Sequence, residues 1–328
     1  MRVLGIDTSC DDTGVGITDS GLVLANLVVS QTALHKRYGG VMPEAASREH
    51  LEVIDEVVEK ALLHAQLSLS DIDIVAATYG PGLVGALLVG LSYAKALAWG
   101  MGVPFVAVHH LEGHIAAATA GASIEPPFLA LIASGGHTAL FYVQGFGSVL
   151  ELGRSRDDAA GEAFDKVARL LGLGYPGGAA LSELAATGDD TAVDLPWPMH
   201  GDDTLDFSFS GLKTAVALKL QRQPDVSHAD LAASFERVAI GSLVEVTLRA
   251  ARRVGAKRLV VAGGVAANRR LRGAFADAGL ETHFPPAALA TDNGAMIALA
   301  ADLRLQAGLA LESGLDIDAQ PYSPLAAS

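Results

Sequence analysis

Two histidines four residues apart stand in the segment Val-His-His-Leu-Glu-Gly-His that begins at Val108. On a helix His110 and His114 share one face with Cβ atoms about 6 Å apart, close enough to hold one metal ion. The chain has 10 histidines, so a helix that merely carries them is the alternative. The order is His-Leu-Glu-Gly-His, not the His-Glu-x-x-His of zinc peptidases, and Glu112 points away from the shared face. The peptidase's general base is therefore missing from its position. A third ligand must come from elsewhere, and Asp292 in Thr291-Asp292-Asn293-Gly294 is the best placed. It precedes an expected helix, Ala295 to Leu305, so capping that helix is its other reading. Two imidazoles and one carboxylate with open positions suit Fe(II), and also catalytic Zn²⁺.

Glycine loops form a second group. Ser134-Gly135-Gly136-His137-Thr138 follows an apolar run. Glycine there lets a ligand approach the backbone and its N–H groups, although a tight hairpin needing positive φ predicts the same pair. Gly263-Gly264 followed by Asn268 at a strand-to-helix junction could hold a nucleotide, but it is neither G-x-G-x-x-G nor a P-loop. Tyr175-Pro176-Gly177-Gly178 reads as a turn. Asp157, Asp158, Glu162 and Asp165 crowd four carboxylates into nine positions, which calls for a cation or ligand hydroxyls, or else marks a solvated helix start. Cys10 has no histidine beside it in sequence and reads as a small buried thiol.

The elements that must position these residues follow from composition and pattern. The chain has 328 residues, half of them hydrophobic, 36 glycines and one cysteine. That excludes a disulfide framework, a CxxC metal site and a disordered chain. Lys plus Arg number 23 against 37 Asp plus Glu, a net −14, which taken whole argues against a nucleic-acid partner. Eight of those cations nevertheless fall between Arg249 and Arg272 with no acid among them, the best local footprint for RNA phosphates. The N-terminal apolar stretch ends at Asp7, short of a signal-peptide core. The uncharged run from Asp73 to Lys95 is broken by Tyr79-Gly80-Pro81-Gly82. It reads as a buried strand, Ile74 to Thr78, and a buried helix from about Leu83. A cytoplasmic protein is expected.

Short apolar runs at Val3–Ile6, Val15–Thr18, Phe128–Ala133, Ala139–Val143 and Arg258–Ala262 predict strands. Helical spacing covers Glu49 to Ala65 and Leu231 to Val254. Alternation of the two gives an α/β fold. A hairpin opening on Asp7 and another opening on Ser134 look like one device used twice, which predicts two related α/β halves facing a cleft. Residues 1–125 would form the first half and 126–299 the second, with 300–328 a helix and tail packing back on the first. Thr187 to Asp206 reads as a long surface loop, and Ser210 as the N-cap of the helix after it. Leu51 to Leu63 offers a helix-pairing surface, a pattern also expected of any core-facing helix.

Together the motifs become specific. IDTSCDDTG, GGVMPEAASREH, GPGLVGALLVG, HHLEGH, SGGHT, DDAAGEAFDK, YPGG, FSFSGLKT, AGGVAANRRLR and TDNGAMIA occur in this order between about Gly5 and Ala298. The sequence resembles the universal tRNA N6-adenosine threonylcarbamoyltransferases, the TsaD family in bacteria, once described as glycoproteases. The resemblance implies an actin/Hsp70/sugar-kinase-like duplicated fold. It implies an acyltransferase that moves a threonylcarbamoyl group from threonylcarbamoyl-adenylate to N6 of adenosine 37 in tRNAs reading ANN codons. By motif position it implies His110, His114 and Asp292 as ligands of one divalent metal, Fe²⁺ favoured and Zn²⁺ the alternative. Ile132, Ala133, Ser134, Gly135, Gly136, Asp165, Gly178 and Asn268 would bind the adenylate. Asp12, or Asp11, is the choice for a general base, although IDTSCDD stands here where many relatives have IETSCDE. Implied partners are tRNA, the paralogue TsaB and the small ATPase TsaE, with no membrane. A metallopeptidase, a sugar kinase or ATPase of the same fold, and a non-catalytic scaffold are the rival readings.

Overall fold

The computed structural model describes residues 1–122, 124–309 and 313–325. It divides into two compact units, the first Met1–Pro126, Gly145–Val149 and Pro285–Ser328, the second Pro127–Gln144 and Leu150–Phe284.

The first unit opens with β1 (Arg2–Asp7), β2 (Asp12–Asp19) and β3 (Leu22–Ser30), then α1 (Thr32–Lys36) and α2 (Pro43–Ala65). There follow β4 (Ile74–Gly80), α3 (Val84–Met101), β5 (Phe105–His109) and α4 (His110–Thr119). The sheet order is β3-β2-β1-β4-β5, with β1 antiparallel to β2 and parallel to β4. Alternate residues of the central strands face opposite cores. Leu4, Ile6, Val75 and Ala77 meet α2 and α3, whereas Val3, Ile74 and Ala76 join α4 and the last helix. A strand buried on both faces needs a continuous apolar run, which is why β1, β4 and β5 lack polar alternation.

In the second unit come β6 (Phe128–Ala133), β7 (Thr138–Gly145), β8 (Ser148–Arg154), α5 (Ala160–Leu170), α6 (Gly178–Ala185) and α7 (Ser210–Arg222). The long α8 (His228–Val254), β9 (Arg258–Ala262), α9 (Arg269–Ala276) and β10 (Glu281–His283) complete it. Its sheet runs β10-β9-β6-β7-β8, again an antiparallel hairpin beside parallel strands. The expected duplication of one α/β device is thus present. The last helix, α10 (Gly294–Gln306), belongs to the first unit. This helix lies so close on β1 and β2 that a Cβ at Gly5, Gly14 or Gly16 would strike the backbone of residues 293–298. Glycine is required there by the close approach.

Two expectations change, at the helix after Pro81 and at the segment from Thr187 to Asp206. The helix after Pro81 is buried along Ala86, Leu87, Gly90, Leu91, Ala94 and Ala98 only, while Trp99 is 76% exposed. Among the described residues α3 alone is long and apolar enough to cross a membrane by length and composition. On α2 the core face is Ile54, Val57, Val58, Ala61 and Leu62, and Leu51 and Leu63 point outward. The segment from Thr187 to Asp206 has no helix or strand, yet Val193, Leu195 and Leu205 are buried in the core of the unit. It is a packed loop rather than a surface one, because three apolar side chains anchor it.

Candidate functional site

In the first unit the β5–α4 junction delivers the histidine pair. His109 ends β5 and its Nδ1 accepts the Leu111 N–H at 3.2 Å, capping α4. Its Nε2 lies 3.0 Å from the Ser323 carbonyl, and burial pushes its pKa down to about 4. The imidazole is therefore neutral and serves as a hinge pin for the helix that carries His110 and His114. One turn apart, those two rings stand 4.8 Å between centroids at 79°.

Asp292 comes to them from the loop before α10. Its Oδ1 is 3.2 Å from His114 Nε2 and 3.7 Å from His110 Nε2. The capping alternative for Asp292 falls away, because Asn293 caps α10 by accepting the Met296 N–H at 2.9 Å. Neither ring nitrogen of His114 makes a hydrogen bond: Nε2 has the Asp292 carboxylate beside it, and the buried, orphaned Nδ1 costs about 1–3 kcal/mol. On the opposite side of His110, Nδ1 faces Asp7 Oδ1 at 3.4 Å, and Asp7 is held by Thr78 Oγ1 at 2.5 Å and Ser9 Oγ at 3.1 Å. Burial opposes charge on His110, but Asp292 and Asp7 outweigh it and raise its pKa to about 9. One imidazole without a hydrogen bond, another flanked by two carboxylates and every ligand atom within 4.8 Å of the others form a donor set that fits a divalent cation. Glu112 is engaged elsewhere, with Arg304 Nε donating to it at 2.8 Å, so it is not free to serve as a peptidase base.

Asp12 opens β2. Its Oδ1 is buried without a hydrogen bond. Burial, with Asp11, Asp292 and Asp7 adding repulsion, raises its pKa to about 6 despite a Ser30 hydrogen bond. The loop leading to it is pinned by His50, whose Nε2 donates to the Cys10 carbonyl at 3.0 Å and whose Nδ1 meets Thr13 Oγ1 at 2.7 Å. Burial first and the neighbouring aspartates second push the Cys10 thiol up, which keeps it protonated and unreactive.

The second unit brings the glycine loops together through backbone contacts. Ile132 and Ala133 end β6, and the Ser134 carbonyl accepts the Gly161 N–H at the start of α5. Gly135 and Gly136 are exposed with open space where a Cβ would stand, and neither has positive φ. The hairpin itself therefore does not demand glycine. Gly263, at φ +88°, does need it, since a Cβ would strike the Ala133 carbonyl. One turn along α5, Asp165 Oδ1 accepts the Gly177 and Gly178 N–H groups at 2.8 and 3.0 Å. Asn268 caps α9 through Leu271 N at 2.9 Å and donates to Ser182 Oγ at 3.1 Å and Glu236 Oε1 at 2.7 Å. The glycine-loop residues named from the sequence thus all lie in the second unit, tied together by these contacts.

The crowded acids resolve individually. Asp157 accepts from Ser208 Oγ, Phe209 N, Ser210 N and Ser210 Oγ at 2.6–3.1 Å. It thereby caps α7 in place of Ser210. Asp158 and Glu162 pair with Lys166 at 2.7 and 2.9 Å. Residues that sequence reasoning passed over are Asp7, His50, His109 and Glu236. An acid inside a buried apolar helix was the one available signal for Glu236.

The family model for TsaD, tRNA N6-adenosine threonylcarbamoyltransferase, matches residues 22–299. A tRNA N6-adenosine threonylcarbamoyltransferase of Thermus thermophilus is 57% identical over 99% of both chains. That of Geotalea uraniireducens is 49% identical over 99% of this chain and 97% of its own. Among solved structures, HypF from T. kodakarensis superposes with a TM-score of 0.64 at 16% identity, covering 94% of this chain and 48% of that one. The component A of Acidaminococcus fermentans (R)-2-hydroxyglutaryl-CoA dehydratase gives 0.57 at 19%, covering 94% and 99%. At such identity these two show the fold, which is the actin/Hsp70/sugar-kinase type that the resemblance implied. Fold and full-length relatives define a transferase acting on tRNA. The chain belongs to the tRNA N6-adenosine threonylcarbamoyltransferase family, TsaD.

Proposed function

We propose that the chain transfers a threonylcarbamoyl group from threonylcarbamoyl-adenylate to N6 of adenosine 37 in tRNAs reading ANN codons, with one divalent metal and release of AMP. The observation that carries the metal part is the buried cluster of His110, His114 and Asp292, with neither His114 nitrogen in a hydrogen bond. These three side chains would hold Fe²⁺ in preference to Zn²⁺. When bound, the ion would supply positive charge for donor oxygens.

The protein's own residues would do the rest. Exposed backbone at Gly135 and Gly136, continuing from Ile132, Ala133 and Ser134, would approach the adenylate. Asp165, Gly178 and Asn268 would fix its nucleoside end and supply positioning. The N6 lone pair attacks the carbamoyl carbon, the bond from that carbon to the phosphate oxygen breaks, and AMP leaves with the electron pair. Adenine's exocyclic amine is a weak nucleophile because its lone pair is delocalised into the ring. Asp12, ionised above its raised pKa of about 6, would take the N6 proton as the C–N bond forms. An adenosine in an anticodon loop can be splayed out for reaction without the full penalty of opening a duplex. TsaB and TsaE would be the protein partners, in the cytoplasm.

The test combines the chain and these partners with threonylcarbamoyl-adenylate and unmodified tRNA, followed by nucleoside mass spectrometry. Threonylcarbamoyladenosine at position 37 is expected, and its absence overturns the reading.

A further inference from the structure

The first unit carries most of the acid excess: 7 Lys and Arg against 19 Asp and Glu, a net −12, compared with 16 against 18, a net −2, in the second. Most of its cations are consumed internally. Arg2 pairs with Asp19 and Asp71, Lys60 with Glu56 and Arg304 with Glu112, while Lys95 donates to the Ile317 carbonyl. Lys36, Arg37 and Arg48 are different: all three are exposed and, among the described residues, form no ion pair or side-chain hydrogen bond, and Lys36 and Arg37 stand side by side. Tyr38 follows them with 58% of its surface exposed.

This tip is built rather than loose. His35 beneath it is fully buried, its Nε2 3.0 Å from Gln31 Oε1 and its Nδ1 accepting the Met42 N–H at 3.2 Å. The turn closes through Tyr38 N–H to the His35 carbonyl at 3.0 Å, and Gly39 at φ +69° lets the chain reverse. Gln31 N–H in turn donates to the Asp11 carbonyl at 3.0 Å, tying the tip's base to the loop that bears Asp12.

We propose that Lys36, Arg37 and Tyr38 form a contact surface for the single-stranded anticodon loop of the tRNA, the ring stacking on an unpaired base and the two cations meeting phosphates. Two uncommitted cations beside an exposed aromatic ring are the chemistry that binds unpaired RNA without base-edge readout. The arginine-rich stretch of the second unit keeps Arg252, Lys257 and Arg269 exposed but has no aromatic side chain between Arg249 and Arg272 to stack on a base, and four of its arginines are engaged. Arg249, Arg253 and Arg270 pair with Glu245, Asp203 and Asp190, and Arg272 lies over the Phe284 ring.

The inference rests on tRNA being the substrate. The test is fluorescence anisotropy of the full chain with labelled, unmodified ANN-reading tRNA across about 50–200 mM salt. Lys36→Gln/Arg37→Gln is expected to bind about tenfold more weakly, with a log–log salt slope shallower by about 1–2. Tyr38→Ala should lose about fivefold or more with the slope unchanged, and Tyr38→Phe should bind as wild type. Wild-type affinity and slope in both the double variant and Tyr38→Ala overturn the surface, as does a wild-type chain that binds no tRNA at the lowest salt. A wild-type chain that binds tRNA but forms no modified adenosine with its partners overturns the proposed chemistry instead and leaves this surface standing.

Discussion

The two units share one strand order but carry different residues in the equivalent hairpin loops. In the first, the turn between β1 and β2 carries Asp11 and is flanked by Asp7 and Asp12 at the strand ends, and the nearby histidines are buried. In the second, the equivalent loop between β6 and β7 carries Ser134, Gly135 and Gly136 and no acid. One unit presents side chains with shifted pKa values and a net −12; the other presents bare backbone braced by Asp165 and Asn268 at a net −2. A duplicated fold therefore does not imply duplicated function, since function resides in the loops grafted on each copy.

The contrast is most sharply tested at His114. Replacing it or Asp292 by alanine should remove bound metal, read by elemental analysis, and lower tRNA modification by about 10³-fold, the scale of several kcal/mol of lost charge stabilisation. Retained activity in either variant would erase the chemical distinction between the units. A smaller loss, about 10²-fold, is expected for Asp12→Asn. Because burial raises the Asp12 pKa to about 6, its carboxylate is protonated below that pH and ionised above it. The wild-type rate should fall as pH drops through about 6, and Asp12→Asn should flatten that limb of the profile. The smallest effect concerns the second unit. Gly135 has no positive φ and open space at its Cβ, so Gly135→Ala should shift the thermal midpoint by less than about 2 °C. It should nonetheless weaken adenylate binding about tenfold by calorimetry, because a methyl group would stand where the ligand's closest approach is proposed.

Much of the fold was legible because it is written locally. The run at Phe128–Ala133 and that at Arg258–Ala262 are strands with the expected ends, and α8 and α10 extend the expected helices by a few residues. Strands β3, β5, β8 and β10 were not foreseen; β3 and β10 lack a continuous buried run, with Leu22 and Glu281 exposed. Helix faces were harder still. Leu51 fits the helical period yet points outward, since period alone does not say where the apolar stripe ends. The basic stretch from Arg249 to Arg272 read as an open patch, but four of its arginines are engaged by Glu245, Asp203, Asp190 and Phe284. Glu245 is one turn back on the same helix, but Asp203 and Asp190 lie in the packed loop, 50 and 80 residues from their arginines, at separations that charge counting does not see.

Residue types and spacing by themselves determined the α/β class, the strand-and-loop device used twice, the histidine pair on one helical face and the family. The first three follow from short-range rules, namely period, turn chemistry and i,i+4 geometry, whereas the family came from the resemblance carried by ten motifs in one order. Only the tertiary structure decided which polar groups remain unused once the chain has folded. Asn293 rather than Asp292 caps α10, leaving that carboxylate for the histidines, and Asp157 caps a helix some fifty residues away. A buried polar group must find a partner wherever the fold supplies one, and that choice is made in space, not along the chain.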